Sequence, residues 1–242
     1  MLTIIHTGDF HNRLGDAEAG RLAALRDANG PCLLLDAGDA VGAGNLGFRP
    51  AGEPVLERMS SLGYAAMALG NREAHLWRSV LEMKIRSARY PVLSANITAK
   101  TPIAGVQPSV ELDLGDIRVG VVGVTVPMIT KAMWTHHLCD LLFTNPLEAA
   151  RNAAVELRTR VDLLVCLSHI GQKLDRRIAE EGLYDVVLGG HSHTVIPEPE
   201  RIGKTWLCHT GSHARYAGVW SVAHEGEGWT VSGRLEPLRE GM

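Results

Sequence analysis

Apolar runs of strand length recur along this chain, and several of them end alike. The runs "CLLLDAG", "DLLVCLSH" and "DVVLGGHSH" are continuously apolar and then break into Gly, Asp or His. A run with no polar alternation belongs to a strand buried on both faces, which is the habit of parallel strands covered by helices. Stretches with helical spacing lie between the runs, at 16–28, 53–62, 76–89, 146–160 and 175–181. The fourth carries Leu147, Ala150, Ala154 and Leu157 on one face. Further strands are expected at 2–7 and in "AAMAL", "PVLSANI" and "IRVGVVGV". This alternation predicts an α/β fold. The end of the chain departs from it. "TWLCHTG", "YAGVWSVAHE" and "WTVSGRLEPL" follow one another with no helical stretch between, which predicts an antiparallel portion. The expected architecture is two mixed sheets packed face to face with helices outside, in one domain over 1–242. Segments 99–108 and 125–137 are expected to be loops.

Composition narrows the function classes. At roughly 150 residues per domain, 242 residues make one large domain or two small ones, and no linker or repeat favours two. A formal net charge of -3 implies no general attraction to nucleic acid or anionic membrane. The opening "MLTIIHTGDFH" has too short an apolar stretch for a signal peptide, and no 18-residue apolar span follows. The expectation is a cytoplasmic protein without a membrane or nucleic-acid partner. Cys32, Cys139, Cys166 and Cys208 are far apart and form no C-x-x-C pair, so buried free thiols are expected.

Five of the strand ends finish in metal-ligand chemistry. They offer Asp9 and His11, then Asp39, Asn71, His169, and finally His191 with His193. A lone Asp or His at a strand end is an ordinary turn former. Seven such residues at the same end of five strands are a pattern, because functional groups of open α/β sheets collect there. Carboxylate, imidazole and amide oxygen together suit Mn, Fe, Zn, Co or Ni. Asp39 is the expected bridge, since a carboxylate has two oxygens to share. Two divalent metals about 3.5–4 Å apart would clamp the attacking and leaving oxygens of a phosphoryl displacement.

The blocks "GDFH", "GD" after "LLLDA", "GN" after "AL", "SH" and "GGHSH" resemble, in order, those of the calcineurin-like metallophosphoesterases. "YPVLSANI" and "GLYDVVLGGHSHT" resemble more narrowly the metal-binding domain of the 5'-nucleotidase and sugar-diphosphate hydrolase branch. The resemblance implies a four-layer α-β-β-α sandwich with two metals, Mn favoured. It implies Asp9, His11, Asp39 and His193 on one metal, and Asp39, Asn71, His169 and His191 on the other. It also implies a small phosphorylated substrate. The C-terminal domain that grips the base in the branch's nucleotidases has no counterpart within the resemblance, so nucleotide specificity stays open.

One block departs from the pattern. The family reads Gly-Asn-His-Glu, with an aspartate further on steadying the histidine; here "GNREAH" puts Arg72 at the histidine and His75 at the aspartate. Arg72 cannot release a proton at ordinary pH, but it can bind phosphate oxygens bidentately. If a helix began after Asn71, Arg72 and His75 would share a face at i, i+3, and His75 could serve as the acid. The plain alternative pairs Arg72 with Glu73 on the surface. The resemblance places His209 and His213, in "CHTGSHARYAG", near the metals as substrate contacts. His136, His137 and Arg215 are further candidates for the pocket border, while His6 reads as structural and His224 as exposed. The leading function is a dinuclear-metal phosphomonoesterase acting on nucleotides or other small phosphorylated metabolites. A cyclic phosphodiesterase, or a catalytically weak metal- or nucleotide-binding module, are the alternatives.

Overall fold

The computed structural model describes residues 1–226 and 228–239; positions 227 and 240–242 of the expected domain lie outside the described residues. In chain order the strands are β1 (Leu2–Thr7), β2 (Cys32–Asp36), β3 (Tyr64–Ala68), β4 (Val92–Leu93), β5 (Ile97–Ala99), β6 (Val106–Gln107), β7 (Ser109–Asp113), β8 (Arg118–Thr125), β9 (Leu141–Phe143), β10 (Leu163–His169), β11 (Val186–Gly189), β12 (Glu200–Ile202), β13 (Thr205–His209), β14 (Tyr216–Glu225) and β15 (Gly228–Pro237). The helices are α1 (Asp16–Ala28), α2 (Pro54–Leu62), α3 (Arg78–Ile85), α4 (Pro146–Leu157) and α5 (Gln172–Glu180). One sheet has the order β15-β14-β1-β2-β3-β4-β6 and the other β12-β13-β11-β10-β8-β7, while β5 and β9 form a small separate ladder.

Alternation along the central strands produces the layers. Ile4, Leu33, Leu35, Ala66 and Ala68 of the first sheet meet Val119, Val121, Leu163, Val165 and Leu188 of the second in a core between the sheets. Their neighbours Ile5, Leu34 and Met67 turn the other way, against Leu22 of α1, Leu56 and Met59 of α2 and Leu81 of α3. Val122, Leu164, Cys166 and Val187 likewise pack on Ala150 and Ala154 of α4 and Ile178 of α5. Strands apolar on both faces are therefore covered on both faces, and the result is the four-layer α-β-β-α sandwich expected. The four cysteines are free. Among the described residues, no helix is long and apolar enough to cross a membrane.

Local chemistry sets the element ends. Proline opens α2 and Gly63, at φ +81, closes it with its N–H bonded to carbonyls of the last turn. Asn145 caps α4 by accepting from the Leu147 N–H, with Pro146 at the first position. Three expectations change. The helix expected from 76 begins only at Arg78, because His75 Nδ1 accepts the Trp77 N–H at 3.1 Å and holds the preceding segment out of helix. The stretch "TWLCHTG" is not part of an antiparallel unit with its successors. It runs parallel to β11 and antiparallel only to β12, whereas β14 and β15 pair antiparallel on the first sheet beside β1. Segment 99–108 contains β6, and 125–137 runs into a single 3₁₀ turn at Trp134–Leu138.

His6 lies opposite Leu35 and Gly218 in the first sheet and is fully buried, with neither ring nitrogen hydrogen-bonded. Burial, with His209 adding to it, lowers its pKa from 6.5 to about 3. The folded state therefore keeps His6 neutral where the unfolded chain takes up a proton. Stability from this residue is complete above pH 6.5 and is lost as pH falls toward 3, by up to about 1.4 kcal/mol per pH unit. We expect His6→Leu to flatten that decline: urea melts should show the variant gaining on the wild type between pH 6.5 and about 4, with little change above about pH 7.

Candidate metal centre

The seven residues expected as ligands follow β1, β2, β3, β10 and β11, and the parallel pairing of these strands brings their carboxyl ends to one edge of the sandwich. The loops after β1 and β2 stay paired beyond the strands. Asp9 N–H donates to Gly38 O at 2.8 Å, and His11 N–H to Asp39 O at 3.0 Å. Asp9, His11, Asp39, His191 and His193 all have φ between +48 and +70. Each such left-handed, non-glycine residue costs of order 1 kcal/mol, and their clustering marks a site where geometry is held against local preference.

Two groups of acceptors converge. In one, Asp9 Oδ1 lies 3.7 Å from His11 Nε2 and 3.4 Å from His193 Nε2, and those two imidazole nitrogens are 3.0 Å apart. In the other, His169 Nε2 faces Asp39 Oδ1 at 3.3 Å and Asn71 Oδ1 at 3.2 Å. His169 Nδ1 lies 2.7 Å from the Ala37 carbonyl, which can only accept, so the proton of a neutral ring is on Nδ1 and the Nε2 lone pair points at two more oxygens. Lone pairs facing lone pairs call for a cation or a proton between them. Burial alone would lower the His169 pKa, yet Asp39, with Asp9 and Glu73 behind it, raises it to about 10. Asp39 shows the same attraction from the other side: against burial, His169 and the Arg72 N–H hold it at about 2. The buried Asp9 Oδ1 and His11 Nδ1 have no hydrogen-bond partner. This donor set of carboxylate, imidazole and amide oxygen fits divalent transition metals.

Asp9 belongs to both close groups, the first with His11 and His193 and the second with Asp39 and His169. Asp39 reaches the first group only at 4.0 Å, through its Oδ2 and His11 Nδ1. Asn71 turns its oxygen toward His169 because its Nδ2 donates to Asn45 Oδ1 at 3.1 Å. His191 stands beside His169 with ring centroids 5.0 Å apart, and its N–H donates to Asp9 Oδ2 at 2.8 Å.

Arg72 is at the centre, and His75 is not. The Arg72 N–H donates to Asp39 Oδ1 at 2.7 Å, its Nε is 3.7 Å from Asp39 Oδ2, and an Nη donates to Gly42 O. The surface pair with Glu73 is absent because Glu73 is fully buried. With no helix there, Arg72 and His75 share no face, and the His75 ring is tied to the backbone of Trp77 and Leu46. His209 also differs from expectation. It is 1% exposed with Nε2 at 2.9 Å from buried Asp175 Oδ2, so it offers a substrate no surface. His213 is placed as expected, its ring 4.8 Å from that of His11. His136 and His137 stack on each other at 3.7 Å on the 3₁₀ turn. Leu46, next to the Asn45 that holds Asn71, and Trp77 are both exposed. A cavity of about 790 Å³ lies elsewhere, at the amino ends of β1 and β2 between Cys32, Asp162 and Trp229, and gathers no comparable ligands.

Glu73 was not among the sequence candidates, yet it braces the centre. It accepts from Asp39 N–H (2.9 Å), Gly70 N–H (3.0 Å) and Val41 N–H (3.0 Å), joining the loops after β2 and β3. Burial, then the nearby Asp39 charge, raises its pKa to about 7. Gly70 is required here, because a Cβ would run into the Asp39 N and Oδ1 atoms. Glu73→Gln can still satisfy the two N–H groups on one oxygen but must turn its amide toward Val41. We expect it to cost about 1–3 kcal/mol, and Glu73→Ala clearly more, in urea melts of chelator-treated protein.

A family model for calcineurin-like phosphoesterases matches residues 2–195. A bovine (Bos taurus) 5'-nucleotidase is 34% identical over 227 residues, which cover 81% of this chain and 38% of that protein. The chain thus spans well under half the length of the curated relative. A 5'-nucleotidase precursor from Thermus thermophilus superposes with a TM-score of 0.80 at 26% identity, covering 98% of this chain and 54% of that one. The calcineurin-like phosphoesterase YfkN of Bacillus subtilis shares the fold at a TM-score of 0.78 and 19% identity, covering 98% of this chain and 90% of that one.

Proposed function

The chain belongs to the calcineurin-like phosphoesterase family, and from that premise we propose that it is a phosphomonoesterase acting on nucleotides or other small phosphorylated metabolites. The observation that carries this reading is the convergence of His169 Nε2, Asp39 Oδ1 and Asn71 Oδ1 beside the group of Asp9, His11 and His193. In the proposal Asp9, His11, Asp39, Asn71, His169, His191 and His193 hold two divalent metals, with manganese favoured. When bound, the metals supply Lewis acidity and a nucleophilic water at neutral pH.

The chain's own residues supply orientation and charge. Ala37 fixes the His169 tautomer, and Asn45 fixes the Asn71 amide. Arg72, anchored by its own N–H on Asp39 and about one-third exposed, stabilises negative charge on the phosphoryl oxygens. Hydrolysis forms a bond from water oxygen to phosphorus and breaks the bridging P–O bond. The departing oxygen takes its proton from solvent, since the His75 nitrogens are engaged elsewhere.

Metal analysis of purified protein should give close to two divalent ions per chain, and chelation should abolish hydrolysis of p-nitrophenyl phosphate. Asp9→Asn and Asp39→Asn should each lower the content below one ion; a variant that retains two ions and full turnover would remove that carboxylate from the shared position. Bis-p-nitrophenyl phosphate should turn over more slowly than the monoester.

Arg72→Ala should lower kcat on every ester, by roughly 10²-fold for the loss of one charge-stabilising group. His75→Ala should affect alkyl and nitrophenyl phosphates by equal factors. A loss confined to alkyl phosphates would instead make His75 the acid, because general acids contribute about 10²–10⁴-fold where the leaving group is basic.

A further inference from the structure

The flank of the centre beyond His11 and His193 is basic. The His213 ring lies 4.8 Å from that of His11 and 5.5 Å from that of His193. Its N–H donates to Asp9 O at 2.7 Å, and it is held at φ +62 with Ala214 following at +53. Ser212 Oγ engages His213 Nδ1 at 2.7 Å, which leaves Nε2 to face outward. Arg13 comes two residues after His11, and Arg215 two residues after His213, and both are exposed. Both bring positive charge to bear on His213.

Elsewhere in the chain, arginine heads are largely matched with carboxylates: Arg58 with Asp16, Arg151 with Glu181, Arg158 with Asp185, Arg176 with Glu200. The guanidinium groups of Arg13 and Arg215 have no hydrogen-bond or ion-pair partner among the described residues. The Arg13 carbonyl is instead held by Arg239, and the Arg215 carbonyl by the Leu238 N–H, so both backbones are anchored while both heads stay open. Two uncompensated guanidinium groups whose charge reaches one imidazole make a receptor for an oxyanion, since guanidinium matches phosphate oxygens in plane and in pairs.

We propose that Arg13, Arg215 and His213 form a second phosphate subsite, which takes a further phosphate group of the same substrate while its scissile phosphoryl group sits at Asp9, His11 and His193. The inference rests on the phosphoesterase reading of the centre and adds to it a preferred ligand class: organic molecules with two neighbouring phosphates. Because the arginines are exposed, the gain is modest and screened by salt, on the order of 10-fold in affinity.

The test is calorimetric titration of the manganese-loaded protein with two non-hydrolysable probes, methylphosphonate and methylenediphosphonate. The diphosphonate should bind on the order of 10-fold more tightly, and added salt should erode that advantage. The double substitution Arg13→Ala, Arg215→Ala should abolish the advantage, leaving the methylphosphonate Kd and p-nitrophenyl phosphate turnover unchanged. The Arg13→Lys, Arg215→Lys pair should restore part of it. Arg177→Ala, an exposed arginine on α5, should leave both affinities alone and controls for net charge. Equal affinities in the wild type, or an advantage that survives in the double alanine variant, would overturn the subsite and leave the phosphoesterase reading standing. If the wild type binds neither probe and does not turn over p-nitrophenyl phosphate, the reading of the centre falls and the subsite falls with it.

Discussion

Acceptors aimed at acceptors, in a place where water cannot fully compensate them, are the constraint on which this structure depends. His169 Nε2, Asp39 Oδ1 and Asn71 Oδ1 meet within 3.3 Å, and His11 and His193 present nitrogens to each other at 3.0 Å beside Asp9. Such an arrangement repels itself unless a positive charge binds it. The fold must therefore hold it open from outside. It does so by placing the ligands on the loops of two sheets whose interface is already closed by a dry, continuous core. Neither sheet alone would suffice, because Asp39 and Asn71 follow strands of one sheet, while His169 ends a strand of the other and His191 and His193 follow its neighbour.

A layer of buried charge supports those loops from beneath. Glu73 takes three backbone N–H groups, and Lys84, 1% exposed, donates through Nζ to Gly44 O at 3.0 Å and Ala74 O at 3.3 Å. Burial lowers the Lys84 pKa, with Glu73, Glu53 and Asp39 pulling it back up. The lysine thus joins the loop after β2 to the segment after β3, the same two loops that Glu73 joins, and Asn45 within the first of them orients Asn71. On the other sheet Asp175, buried, takes the Ser168 hydroxyl and stands against His209. Buried polar networks of this kind are stable only when nearly every member is paired, which is why they rigidify the residues they carry.

The difference between what the sequence showed and what it concealed follows from the range of the interactions. The five ligand-bearing strand ends were legible because parallel strands buried on both faces leave continuous apolar runs, and the residue that breaks each run is the one at the sheet's carboxyl edge. The short strands β7, β9 and β12 were not, because exposed residues such as Glu111 and Arg201 set among half-buried neighbours leave no apolar run to read. Partners were harder still. Glu73 looked like a surface mate for Arg72, and His209 like a substrate contact. Their true partners are 32 and 34 residues away in chain for Glu73 (Val41 and Asp39 N–H groups) and 34 for His209 (Asp175), set by packing rather than spacing. At His75 the cause was local: an imidazole that accepts a nearby N–H ended the expected helix before it began.

The exchange of a histidine for Arg72 is then a matter of balance as well as chemistry. An imidazolium at that position could donate a proton, but once neutral it would leave Asp39 with less positive charge near it. Arginine gives up the proton and adds a permanent charge 3.7 Å from Asp39 Oδ2. The flank beyond His11 and His193 is the one proposed to use Arg13, Arg215 and His213. The departing group then needs little help from an acid if it leaves as an already stable anion. Loss of the proton donor and gain of a fixed charge at Arg72 are, on this argument, two parts of one adjustment toward leaving groups that carry their own charge.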